Sequence, residues 1–79
     1  MPKYEEIADT LRQRIKQGIY PANSLLPNQV ELVEEFDASR MTVKKAITIL
    51  TMEGLVFARR GAGTKVLDHS FWDKNTAPA

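Results

Sequence analysis

The chain has 79 residues and no cysteine, a length that holds one domain with one small core and a composition that excludes disulfides and thiolate metal sites. One histidine, no close carboxylate cluster, no apolar run near the ~20 residues that cross a bilayer and no signal-peptide apolar region point to a cytoplasmic protein that binds no membrane. The formal net charge is only +1, but it is unevenly spread: −3 over residues 1–37, +5 over residues 38–67 and −1 over residues 68–79. One stretch is therefore cationic on a near-neutral body, the electrostatic footprint of a phosphate-facing surface.

Tyr4, Ile7, Ala8, Leu11 and Ile15 follow the helical period, with Glu5, Glu6 and Asp9 early and Arg12, Arg14 and Lys16 late. Acid first and base last suits the helix dipole, so a helix is expected from about Lys3 to Gln17, ended by Gly18. Its polar face reads as solubilising rather than binding. Ile19 to Pro27 is a connector, in which Asn23 suits a left-handed conformation and Leu25 and Leu26 are expected inside, in a short extended piece.

Asn28 followed by Glu31 three residues later is a variant capping box. Leu32, Val33 and Phe36 then give one apolar face to a short helix ending near Asp37. A tight junction leads to Ser39, a good N-cap for the next helix. There Val43, Ala46, Ile47 and Leu50 recur at i, i+3, i+4 and i+7, a buried face. Met41, Lys45 and Thr48 fall opposite, Arg40 and Lys44 on a flank, and no acid stands between Asp37 and Glu53. Two helices joined by so short a turn form a helix-turn-helix, whose second helix reads the DNA groove.

After Gly54 the period changes to two. Leu55 to Arg60 alternates, Gly61-Ala62-Gly63 breaks the run, and Thr64 to Leu67 resumes it, which predicts a β-hairpin with arginines at its tip. The expected fold is mainly α with a small β-hairpin: a winged helix-turn-helix of three helices plus wing, over residues 1–69. Gly61 and Gly63 satisfy the turn and also let the tip lie close to a groove, with Arg60 reaching a phosphate or minor-groove edge. Residues 70–79 have no period and read as a linker or tail, despite Phe71 and Trp72. His69 has only its sequence neighbours Asp68 and Ser70 beside it, and no enzymatic role is expected.

In their order and spacing, the helix ending at Gly18, Leu26-Pro27, Glu31-Leu32, Ser39-Arg40-Met41-Thr42-Val43-Lys44-Lys45-Ala46, Leu50, Glu53-Gly54-Leu55 and Gly61-Ala62-Gly63-Thr64 resemble the N-terminal domain of the GntR family of bacterial transcription regulators. The run from Ser39 to Val43 is similar to the HutC branch. The resemblance implies a repressor that binds a palindromic operator as a homodimer. It also implies a chorismate-lyase-like effector domain beyond this chain, which supplies most of the dimer contact and binds the releasing metabolite. No cofactor is implied for the chain itself. The family's DNA contacts carry over to Ser39, Arg40, Thr42, Lys44, Gly61 and Gly63, with Arg40 a candidate for a bidentate bond to guanine O6 and N7. Four positions depart from the family pattern. Val30 stands where a recognition arginine is usual, Asn28 where serine caps, Ala58 where the wing has arginine, and Lys65 where an aromatic is common.

Double-stranded DNA is thus the expected partner. Arg40, Met41, Thr42 and Lys44 would read bases, Met41 against a thymine methyl. Asn28, Lys45, Arg59, Arg60 and Lys65 would contact phosphates, with Thr64 beside the tip. The alternative is a winged helix whose cationic face meets an acidic protein. The outward Arg, Lys and Thr mixture, with Met41 as its one apolar anchor, disfavours that alternative.

Overall fold

In the computed structural model, which describes residues 2–67, three helices precede a hairpin: α1 (Lys3–Lys16), α2 (Gln29–Phe36), α3 (Arg40–Met52), β1 (Val56–Arg59) and β2 (Gly63–Val66). The expected boundary at residue 69 and the linker at 70–79, with His69, Phe71 and Trp72, lie outside the described residues. None of the described helices is long and apolar enough to cross a membrane.

Helices α2 and α3 start and stop for local reasons. Asn28 accepts from the Glu31 backbone N–H at 2.9 Å while the Glu31 carboxylate accepts from the Asn28 N–H, closing the capping box on α2. Asp37 ends that helix at φ +50°, a left-handed turn that aspartate tolerates and that swings the chain directly into α3. Ser39 Oγ accepts from the Thr42 N–H at 3.1 Å and caps α3. Gly54, at φ +79°, follows the end of α3 and lets the chain leave for the hairpin.

One core joins these elements. Ile7, Ala8, Leu11 and Ile15 of α1 meet Leu32 of α2 and Val43, Ala46 and Leu50 of α3, all at most 1% exposed. Val56 and Val66, paired across β1 and β2, close the core at the end nearest the hairpin. The strands are antiparallel, with Phe57 opposite Lys65, Ala58 opposite Thr64 and Arg59 opposite Gly63.

Of the two leucines expected inside, only Leu26 is buried; Leu25 is 60% exposed. The cause is a third strand-like edge. Asn23 N–H donates to Val66 O, Val66 N–H to Ser24 O and Leu26 N–H to Thr64 O, all within 2.7–2.8 Å. Successive side chains of an extended segment point to opposite faces, so one of two adjacent leucines must turn out. Asn23 enters this edge at φ +70°, as its residue type suggested. The turn also differs slightly from expectation: Gly63 belongs to β2, and Arg60-Gly61-Ala62 form the loop.

The polar face of α1 does more than solubilise. Arg12 grips Glu53 at the end of α3 through two bonds of 2.7 and 2.8 Å and also reaches Asp9. Arg14 reaches Glu35 of α2, donates to the Tyr20 hydroxyl at 2.7 Å and lies against the Tyr20 and Phe36 rings. The bonds to Glu53 and Glu35 raise the two guanidinium pKa values further above their ordinary range.

Truncating the wholly buried Leu50 to alanine is expected to destabilise the domain by about 2–5 kcal/mol, through lost burial and a residual cavity. Asn28→Ala should cost about 1 kcal/mol and Asn28→Ser much less, because serine also caps. Urea unfolding followed by circular dichroism checks both orders.

Candidate nucleic-acid interface

Burial of Val43, Ala46 and Leu50 leaves the opposite side of α3 in solvent. Arg40, Met41, Lys44, Lys45 and Thr48 are exposed there, and Met41 is 68% accessible. Ser39 and Thr42 sit at the amino end of the helix, their hydroxyls 2.9 Å apart. One hydroxyl proton is used between them, which leaves the other able to donate outward to an anion.

A concave groove of about 960 Å³ separates α3 from the wing. Asn28 and Gln29 from the start of α2, Lys44 and Thr48 from α3, and Arg59 and Thr64 from the hairpin all line it. Gly63 and Ala58 belong to the same wall, so the structure brings together Asn28, Lys44, Arg59, Gly63 and Thr64. The Asn28 carbonyl oxygen is occupied by its capping bond, so only its amide N–H₂ is available to a phosphate. Gln29 was not singled out by the sequence, although its place just after an N-cap is the signal that could have found it. Arg60 and Gly61 stand at the tip. Gly61 has φ +79° and open space around it. The Ala62 N–H donates to Arg59 O, the pattern of a tight turn with glycine at its third position.

Not every expected residue lines the groove. Ser39 and Arg40, at the amino end of α3, are not among its lining residues, and Met41 and Lys45 lie on another flank of the helix, beside Tyr4 of α1. Lys65 is on the outer face of the sheet, since Val56 and Val66 point into the core and Lys65 alternates with them. Leu25 and Phe57, both exposed, flank it in register. Val30 is 54% exposed at the start of α2 and brings no charge to this surface.

The charge distribution sharpens in three dimensions. Among the described residues, the ion pairs join Arg12 to Asp9 and Glu53, and Arg14 to Glu35. Arg40, Lys44, Lys45, Arg59, Arg60 and Lys65 take part in none of them. Glu53, the one acid between residues 38 and 67, is turned away and neutralised by Arg12. The outward side of α3 and the wing therefore carries cations that no ion pair holds among the described residues, which favours a phosphate chain, and Glu31 of α2 is the one acid among the residues that line the groove. Lys45 alone of these cations is held by a ring among the described residues, its Nζ 5.1 Å from the Tyr4 centroid. Sequence periodicity had read Tyr4 only as a core position.

Comparison with known proteins finds relatives in sequence and in fold. The HTH-type transcriptional regulator GmuR of Bacillus subtilis (strain 168) is 45% identical over 73 residues, 92% of this chain and 31% of that protein. The histidine utilization repressor of Klebsiella aerogenes is 36% identical over 67 residues, 85% of this chain and 28% of that one. A crystal structure of AraR(DBD) in complex with operator ORE1 superposes with a TM-score of 0.82 at 35% identity, over 84% of this chain and 80% of that one. The chain spans about three tenths of the length of the curated relatives it matches. The winged helix-turn-helix expected from the sequence is thus the fold these structures share. The family model for bacterial regulatory proteins of the gntR family matches residues 3–66, from the first residue of α1 to the last of β2. With every helix and both strands inside that match, this chain belongs to the gntR family.

Proposed function

We propose that this domain reads double-stranded DNA for a bacterial transcription regulator, with α3 in the major groove and the wing against the flanking backbone. The observation that carries this is the run of cations on α3 and the hairpin, none ion-paired among the described residues, with Glu53, the one acid between residues 38 and 67, bound to Arg12. The likeness to AraR(DBD), solved with its operator, supports it, and the family groups the chain with regulatory proteins rather than enzymes.

In this arrangement Arg40 contacts guanine O6 and N7, Met41 meets a thymine methyl, and Lys44 reaches bases from the groove wall. The free hydroxyl proton of the Ser39–Thr42 pair, the Asn28 amide, Lys45, Arg59, Arg60 and Lys65 hold phosphates. Gly61 and Gly63 let the hairpin tip approach without side-chain bulk, and Thr64 lines the wall behind them. The whole protein binds a palindromic operator as a homodimer, carries an effector domain beyond residue 79 and acts as a repressor released by a small metabolite. Relatives roughly three times this length, a repressor among them, support that extension. The domain needs no cofactor for this work and acts in the cytoplasm, on the nucleoid.

Three measurements test the proposal. Fluorescence anisotropy with a mixed-sequence duplex should show binding at low salt. If about 4–6 phosphates are neutralised, the logarithm of affinity should fall with log salt at a slope of about −4 to −5. No binding at low salt would remove the proposal. On a duplex selected from a random library, Arg40→Ala should cost about 1–3 kcal/mol and relax discrimination at one base pair. Lys45→Ala should instead weaken every sequence alike; a variant of Arg40 that keeps full sequence preference would reassign base reading to another residue.

A further inference from the structure

Resting on that DNA-binding reading, we infer that Tyr4 of α1 is a positioning residue for duplex binding: its ring holds the Lys45 ammonium in place for a backbone phosphate on the flank of α3 away from the wing. Lys45 belongs to the exposed face of α3, while Tyr4 is half-buried in the first turn of α1 and packs against the core. The two meet because α1 and α3 share the buried rows Ile7, Leu11 and Ile15 against Val43, Ala46 and Leu50.

The Lys45 Nζ stands 5.1 Å from the Tyr4 centroid, within the range of cation–π attraction. The pair edges a shallow hollow of about 410 Å³ with Met41, Lys44, Thr48 and Ile49. No acid lines that hollow and none is ion-paired to Lys45 among the described residues, so the ammonium keeps its full charge toward a ligand. An ammonium has three donors, and a ring face engages one side of it, leaving the others for a phosphate oxygen. A free lysine must surrender substantial rotamer freedom when it binds; one already resting on a ring has surrendered part of it on folding. The duplex footprint thereby extends from the wing across α3 to the start of α1, and its far edge is set by an aromatic side chain that carries no charge.

The test measures affinity for a mixed-sequence duplex against salt for the unaltered chain, Tyr4→Leu, Tyr4→Phe, Lys45→Ala and the Tyr4→Leu/Lys45→Ala double variant, each checked for cooperative unfolding. Tyr4→Leu should weaken binding about two- to fivefold, the part of one side chain's ordering cost that the ring prepays, with the salt slope unchanged because Lys45 still reaches phosphate. Lys45→Ala should flatten the slope by about 1. Tyr4→Phe, which keeps the ring, should restore affinity, and Tyr4→Leu should cost nothing further once Lys45 is gone. Tighter binding by Tyr4→Leu would mean that the ring holds the ammonium back from DNA, and unchanged binding that it does nothing; either result overturns the inference. A loss in Tyr4→Phe equal to that in Tyr4→Leu, or an undiminished loss in the double variant, would assign the effect to the hydroxyl or to general packing and overturn it as well. Failure of the unaltered chain to bind any duplex is a separate outcome, which removes the DNA-binding reading and the inference with it.

Discussion

Burial of Val43, Ala46 and Leu50 on one stripe of α3 determines the rotation of that helix about its axis. A helix advances about 100° per residue, so three buried positions leave no freedom over which side chains face out. Ala46 is as fully buried as its larger neighbours, in the same core cluster as Ile7, Leu11 and Ile15 of α1. The outward placement of Arg40, Lys44 and Lys45 follows from this packing. Rotate α3 by one position, and a lysine would enter the core uncompensated, at a cost far above what a small domain can carry.

The second organising feature is the sorting of charge. Arg12 and Arg14 are drawn to carboxylates at the end of α3 and on α2, and none of these four residues lines the groove. Exposed ion pairs of this kind contribute only modestly to stability. Their larger effect is on the electric field: they withdraw Glu53 from a surface where it would cancel part of the positive potential. With a screening length of about 8 Å at physiological ionic strength, such removal matters locally even though the net charge of the chain barely departs from neutrality.

Much of this was legible in the residues before any coordinates. The three helices follow from uninterrupted apolar periods and from caps at Asn28 and Ser39, which act within one turn of chain. The hairpin follows from a change of period around a glycine pair. What escaped depends on partners distant in sequence. Which of Leu25 and Leu26 turns inward is decided by pairing with Thr64 and Val66, some forty residues on. The grip of Arg12 on Glu53 spans a separation of 41 residues and has no local signature. Likewise Tyr4 fits the apolar period of α1, and only the crossing of α1 over α3 places its ring beneath Lys45. Gln29 was overlooked because a residue just inside a cap is usually read for what it does to the helix, not for the wall it stands in.

The edge formed by residues 23–26 also alters what the wing is. A lone two-stranded hairpin is marginal in water, but this one is stitched along β2 to the connector that links α1 with α2 and is seated on the core through Val56 and Val66. The arm is therefore a fixture rather than a feeler. Its distance from α3 is set when the chain folds, so the domain meets any elongated partner as a rigid two-pronged gauge, and a partner whose own contours do not match that span must bend to be accepted.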